Sequence, residues 1–316
     1  LVRSRGLGDV YKRQLARGDR AEAAELWPLV EWCLEYCRRQ LTADGVVASD
    51  TDELEGRFPT GDANLCTSTL YYDALLSAVS LGRELGVESA QTARYAAQAR
   101  ALARAIDAHF GGEVGGYDTY RYYAGNTLLR SWICMPLIVG LKERSEGTVG
   151  ALLGPELMTD DGLLTQQGSS TFWDRSTLYA LRGIYNVGQA DRATELLHRY
   201  SQRRLLGDHV PYPIEAWPEG SQRHLSAESG LYCRIITEGL FGIRPTGLRS
   251  FDLTPSMPAA WESMSLRHIR AFGSDFDITV ARVADGRLRI TVARPGAKPK
   301  IYRAAPGATI RVKLTD

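Results

Sequence analysis

Leu70-Tyr71-Tyr72-Asp73-Ala74-Leu75-Leu76-Ser77-Ala78-Val79 decides the class of this chain. Its apolar residues at 70, 71, 74, 75, 78 and 79 return with the period of an α-helix that buries one face. The same spacing recurs upstream at Leu26, Leu29, Val30, Cys33, Leu34 and Cys37, and downstream at Tyr95, Ala99, Leu102, Ala105 and Ile106. Segments 127–143, 175–187, 190–203 and 225–241 read as further helices. Loops rich in Gly or Pro separate them at 44–62, 111–126, 160–172 and 206–224, and they are long for plain helix connections. Short and long connections alternate, as in stacked αα-hairpins. No fixed repeat of tetratricopeptide or ankyrin length occurs, so a toroid of hairpins fits better than a solenoid. A toroid would gather the long loops at one mouth, where loops on a rigid scaffold carry function.

After Pro245 the period changes. Phe276, Ile278 and Val280 alternate with polar residues, and Leu288, Ile290 and Val292 do the same after the hairpin dipeptide Asp285-Gly286. Ile310, Val312 and Leu314 form another alternating run. The expected organisation is a mainly α chain: a helical domain over 15–248 and a small antiparallel β region over 249–316. Residues 1–14 match nothing around them and resemble a translated sequencing adapter. They are set aside, and the natural protein is expected to begin further upstream.

The 316 residues are 44% hydrophobic and 24% charged, with a net charge of +1. That balance is ordinary for a globular chain and lacks the basic excess that a nucleic-acid or anionic-membrane partner would require. No apolar run approaches the roughly 20 residues of a membrane span. The five cysteines, Cys33, Cys37, Cys66, Cys134 and Cys233, are an odd set, mostly on apolar helix faces, and read as reduced core residues. There is no Walker loop, zinc-protease helix or nucleophile elbow, and the acidic cluster at 50–55 lacks EF-hand spacing. No cofactor and no metal are expected.

Two acidic, aromatic-flanked loops carry the candidate chemistry: Ser49-Asp50-Thr51-Asp52-Glu53-Leu54-Glu55-Gly56-Arg57-Phe58-Pro59 and Tyr212-Pro213-Ile214-Glu215-Ala216-Trp217-Pro218-Glu219-Gly220. Acid/base cleavage of a sugar bond needs one carboxyl to donate a proton, a second to activate water, and aromatic faces to hold the ring. An acidic loop is also an ordinary solvated surface, and Asp favours caps and turns, so the residue types alone leave both readings open. Asp62 reads as a cap for the helix beginning near Asn64.

Taken in order, these patterns resemble the six-hairpin, (α/α)6-barrel glycoside hydrolases, which include glucoamylase, trehalase, debranching glucosidase and α-L-rhamnosidase. The resemblance covers about 25–270. It implies a carbohydrate substrate and an incomplete (α/α)6 toroid, since a closed ring takes roughly twelve helices. The first loop, followed by Tyr71-Tyr72-Asp73-Ala74, is similar to the general-acid loop and its following helix. The match falls on Asp52, with Asp50 and Glu53 as close alternatives. Thr171-Phe172-Trp173-Asp174-Arg175-Ser176 is similar to the Tyr-Trp-Arg-Gly segment that lines the pocket. Trp173 would be a stacking platform and Arg175 would bind hydroxyls or hold a carboxylate, although Asp174 departs from the pattern. Ile214-Glu215-Ala216-Trp217, with the helix ending Gly239-Leu240-Phe241-Gly242-Ile243, is similar to the general-base segment. Glu215 is then the base, Glu219 and Glu228 are fallbacks, and Tyr212 and Trp217 are substrate contacts.

A further stretch, Asp118-Thr119-Tyr120-Arg121-Tyr122-Tyr123-Ala124-Gly125-Asn126 with Arg130 and Trp132, is dense in side chains that suit sugars. Arg121, Tyr122 and Trp132 join the candidate binding set, beside a reading as a packed aromatic loop. The expected reaction is inverting hydrolysis. Asp52 protonates the leaving oxygen, and Glu215 activates water from a position roughly 6.5–9.5 Å away. A general acid must keep its proton at working pH, and the charges of Asp50, Glu53 and Glu55 could serve that. Two other readings stand: an α/α-barrel sugar epimerase, isomerase or lyase using a His pair such as His209 and His224, and a helical scaffold that binds a partner through an apolar groove.

Overall fold

The computed structural model describes residues 13–52, 58–206, 211–214 and 226–314, with only the backbone of Ser226. Three long helices come first. Helix α1 (Arg20–Arg39) starts at Asp19, whose Oδ1 accepts the amides of Ala21 and Glu22 at 3.0 and 3.1 Å. Helix α2 (Leu65–Leu85) starts at Asn64, which accepts Thr67 N–H at 2.9 Å, and ends at Gly86 with φ 79°. Asn64 therefore takes the capping role expected of Asp62, which is exposed and uses only its carbonyl, toward Ser49 N–H at 2.8 Å. Helix α3 (Ser89–Phe110) packs along α2, and α2 packs along α1. At Gly82 the three come so close that a Cβ would sit 2.9 Å from Thr92 Cγ2 and 3.1 Å from the Trp27 ring. Leu75, Leu81 and Ile106 are wholly buried at these contacts. Each such side chain contributes about 1.5–3 kcal/mol.

The stretch read as one helix over 127–143 is broken. A 3₁₀ turn (Ser131–Cys134) leads into the short helix α4 (Met135–Val139). Pro136 is tolerated in the first turn, where its missing N–H has no helical acceptor, and Gly140 at φ 89° ends the helix. Loop 111–126 contains a hairpin, β1 (Gly111–Val114) with β2 (Tyr117–Tyr120), and α5 (Ser145–Leu152) packs on β2. After the short pair β3 (Met158–Thr159) and β4 (Gly162–Leu163) come α6 (Asp174–Asn186) and α7 (Ala190–Tyr200). Helix α7 continues in a π-helical turn over Ser201–Leu205. Helix α8 (Ser226–Arg234) likewise runs into a π turn over Ile235–Leu240 that packs on α6.

Strands follow. β5 (Ile243–Gly247), β6 (Ser250–Leu253) and β11 (Ile310–Lys313) form a sheet in the order β11-β6-β5. β7 (Ser263–Ala271), β8 (Ser274–Arg282), β9 (Leu288–Ala293) and β10 (Lys300–Ala304) form an antiparallel meander. The period-two residues do what their pattern dictates: Ile278 faces Val292, Val280 faces Ile290, and all four are buried. Phe251 of β6 stacks on Phe272 and Phe276 at 5.0 and 5.5 Å, which joins the two sheets through one aromatic cluster. Gly242, at φ 64°, makes the turn from the last π turn into β5, and a Cβ there would lie 2.2 Å from Thr254 O. The expected domain boundary at 248/249 falls inside the β5–β6 hairpin, and β5 packs on α2.

The five cysteines are free, four of them buried and Cys233 exposed. Burial, with Cys33 alongside, pushes the Cys37 thiol up to about 11, so it stays a thiol at neutral pH. Among the described residues no helix is long and apolar enough to cross a membrane.

Candidate active site

The start of α2 and the loop before it are one construction. The backbone pairs Ala48 with Ala63, and Asn64 Nδ2 donates to Thr51 O at 3.1 Å while its Oδ1 caps the helix. Thr60 Oγ1 donates to Asp50 O at 2.9 Å. These bonds hold the stretch that presents Asp52. Asp52 itself is half-buried, and its Oδ2 accepts the Tyr122 hydroxyl at 2.6 Å. Asp50 is exposed, and Glu53 lies outside the described residues.

Tyr122 is wholly buried. Its backbone is fixed on both sides: its carbonyl accepts Leu65 N–H at 2.9 Å, and its amide donates to Asn126 Oδ1 at 3.3 Å. Burial first, then the neighbouring Cys66 and Asp52, push its phenol well above the usual range. Tyr122 therefore stays a neutral donor aimed at Asp52. Its ring carries the guanidinium of Arg130, with Cζ 4.8 Å from the ring centroid; Phe58 and Tyr123 flank the same cation at 5.4 and 5.6 Å. Arg130 is 1% exposed, and Asp52 acts on it electrostatically. Burial holds its pKa below the usual arginine value.

A second cluster forms around α6. Trp173 stands at the helix start and is buried, with Arg175 Cζ 5.7 Å from its ring. Asp174 and Arg204 are both 2% exposed and pair at 3.2 Å. Asp174 Oδ2 also accepts Ile214 N–H at 2.7 Å, which ties down the residue immediately before Glu215. Arg175 donates from Nε and Nη2 to Oε1 of Glu228, at 2.8 and 2.6 Å. Glu228 is wholly buried, and its Oε2 has no hydrogen-bond partner among the described residues. Asp174 and Arg175, though adjacent, do not pair with each other. The two side chains leave the chain in different directions, each to an opposite charge encoded far away, and Arg175 holds a carboxylate.

The remaining candidates divide. Arg121 turns away from the aspartate and donates to Gly111 O at 3.0 Å, because it alternates with Tyr122 along the chain. Trp132 is 1% exposed and packs against Tyr179 of α6 at 5.4 Å. Trp132, Trp173 and Tyr122 are buried and offer no open stacking surface here. Tyr212 is half-buried, while Glu215, Trp217 and Glu219 lie outside the described residues. His209 and His224, the pair that an isomerase or lyase would need, lie outside them too. The segment 164–172 joins the two clusters. Gln166 Oε1 accepts Arg130 Nε at 2.9 Å, and Leu164 pairs with Phe172, the residue before Trp173.

Two cavities, of about 290 and 340 Å³, open where the ends of α4 and α6 meet the strands, and they share Lys142, Asn186, Thr254 and Gly307. Neither is lined by Asp52, Tyr122 or Arg130. Among the described residues no group of three or more His, Cys, Asp or Glu is placed to hold a metal ion. Arg130, quoted in the aromatic stretch but outside the candidate binding set, is the cation beside Tyr122. Its signal was an arginine following three tyrosines and preceding a tryptophan, a spacing that suits a buried cation–π site.

No protein-family model and no curated protein matches the chain. Solved structures do. A sialidase superposes with a TM-score of 0.70 at 15% identity, covering 96% of this chain and 32% of that one. The GH78 family rhamnosidase of Bacillus sp. GL1 gives 0.56 at 15% identity, covering 91% and 30%. The Streptomyces avermitilis α-L-rhamnosidase complexed with L-rhamnose gives 0.50 at 13% identity, covering 95% and 32%. The chain thus spans about a third of the length of each of these structures. At such identities the likeness is one of fold, and the fold is that of the glycosidase structures, in agreement with the six-hairpin glycosidase resemblance carried by the sequence.

Proposed function

We propose that this chain contributes the catalytic helices of an inverting glycoside hydrolase acting on an oligosaccharide or glycoside. In this reading α1–α8 belong to an (α/α)6 toroid, the strands beyond about 248 form an accessory β domain, and the long loops face a carbohydrate. Asp52 protonates the leaving glycosidic oxygen, and Glu215 removes a proton from the attacking water. The observation that carries the reading is the mounting of Asp52. A half-exposed carboxyl is held at a fixed angle by a buried phenol, on a loop locked to the cap of a core helix. Such positioning from rigid elements is what acid/base catalysis needs. Arg175 and Glu228 brace α6 against α8, and Asp174 holds the chain entering the Glu215 segment.

The test is a screen of aryl glycosides, with rhamnosides and sialosides included because of the fold neighbours, followed by Asp52→Asn and Glu215→Gln. Each substitution should keep the helical circular dichroism spectrum and lower kcat by roughly 10²–10⁴-fold, the usual worth of a general acid or base. A folded variant with full turnover removes that residue from the mechanism. Product anomer analysis by NMR checks the stereochemistry: retention in place of inversion would overturn the two-carboxyl spacing assumed here.

A further inference from the structure

Three arginines among the described residues are buried: Arg130, Arg182 and Arg204. Arg182 donates to Glu238 at 3.0 Å, and Arg204 pairs with Asp174 at 3.2 Å. Of the three, Arg130 alone has no carboxylate within hydrogen-bond reach among the described residues. Its Nε is used by Gln166, but both Nη1 and Nη2 are buried and have no hydrogen-bond partner among the described residues. Aromatic faces surround it, and they attract the charge without accepting its N–H groups in line. A buried guanidinium left with four unused donors is costly, and such a cost persists where another group completes the pairing during function.

The surroundings indicate which group. Nη1 and Nη2 form the planar fork that matches a carboxylate with two parallel hydrogen bonds. The fork lies under the ring whose hydroxyl holds Asp52. Phe58, Tyr123 and Asp52 are only half-buried, so the cluster around the fork reaches solvent on that side. Aromatic rings at the entrance also suit the C–H face of a sugar. We infer that Arg130 is the subsite for a carboxylate borne by the sugar ring next to the bond on which Asp52 acts, so that the substrate is an acidic glycoside, a uronide. The inference rests on the glycosidase reading and narrows it to a substrate class.

The experiment compares aryl D-glucuronides and D-galacturonides, in both anomeric forms, with the matching glucosides and galactosides, using the full chain. The expected result is a kcat/KM at least about tenfold higher for the uronide than for its neutral counterpart, the discrimination a charge-assisted hydrogen bond provides. Arg130→Lys, which keeps the charge and loses the fork, should lose most of that preference, and Asp52→Asn should abolish turnover of both kinds. The preference of the unaltered protein decides the matter even if an Arg130 variant fails to fold. Neutral glycosides turned over as well as uronides, in an Asp52-dependent way, would overturn the uronide assignment and leave the hydrolase reading standing. An equal gain from a 6-sulfated galactoside would overturn the carboxylate in favour of any anion. If no glycoside of either kind is cleaved, the hydrolase reading falls and this inference falls with it.

Discussion

Two buried clusters of charge and aromatic rings sit at either end of the 164–172 segment, and they are built on opposite plans. Around α6 every guanidinium has an acidic partner: Arg204 has Asp174, and Arg175 has Glu228. Each pair ties α6 to chain more than 25 positions away. Around Asp52 the cation and the carboxylate are neighbours without being bonded, and a tyrosine stands between them. Completed pairs fix a structure, because removing either member strands the other in a medium that cannot solvate it. An incomplete set can bind or react, because the spare donors of Arg130 are available to something else.

The sharpest way to break this contrast is thermodynamic. Asp174→Ala should destabilise the fold by about 3–5 kcal/mol, since it strips buried Arg204 of the Asp174 carboxylate and releases Ile214 N–H. Arg130→Met, at equal burial, should leave stability within about 1 kcal/mol or raise it, because the one bond lost, to Gln166, is offset by removal of the Nη1 and Nη2 donors that were never satisfied. Urea midpoints on the two variants make the comparison. If Arg130→Met proved as damaging as Asp174→Ala, the Asp52 cluster would be a structural anchor like its counterpart.

Tyr122→Phe probes the link between the two charges and should cost about 1.5–3 kcal/mol, the worth of one hydrogen bond to a carboxylate. It also has a pH signature. The folded-state pKa of Tyr122 lies above its unfolded value of 10.0, so its contribution is fully present below pH 10 and is lost as pH rises beyond that. The natural chain should therefore lose stability more steeply above pH 10 than the Phe variant. Equal slopes in urea titrations at pH 9 to 11 would mean that the phenol is not held neutral by its surroundings.

How much of this was legible depended on range. Helices α1, α2, α3 and α6 and the β8–β9 hairpin are written in local periodicity, so the stripe at Leu70–Val79 and the turn at Asp285-Gly286 suffice to place them. The break at 131–139 was hidden because Trp132, Ile133, Leu137 and Ile138 keep an apolar texture through Pro136, while Gly140 stops the helix by its backbone alone. Pairing of β11 with β6 across nearly 60 positions leaves no local trace. In the candidate site, Asp52 stands out by its acidic loop, whereas nothing local separates Arg121 from Arg130 as the cation beside Tyr122. Both lie in one aromatic-rich stretch, and no local pattern tells that Tyr122 meets Asp52 while Arg121 meets Gly111. The partner of Arg175 is 53 residues away on another helix, beyond the reach of any motif.

The smallest expected effect supplies the baseline for the contrast. Glu35 on the exposed face of α1 accepts hydrogen bonds from Arg38 and Arg39, and those bonds hold its carboxyl at about 2. This trio is as completely paired as Asp174 and Arg204, yet it is fully wet, so water replaces any partner that is removed. Because the folded pKa is depressed, whatever it contributes is present above pH 4.5 and disappears as the pH falls toward 2. Glu35→Gln should therefore match the natural chain closely in urea midpoint at pH 7, and the remaining difference should vanish in acid and shrink in salt. A loss at pH 7 approaching that of Asp174→Ala would show that pairing outweighs burial in setting the cost, and the distinction between the anchored and the spare guanidinium would then have to be drawn on other grounds.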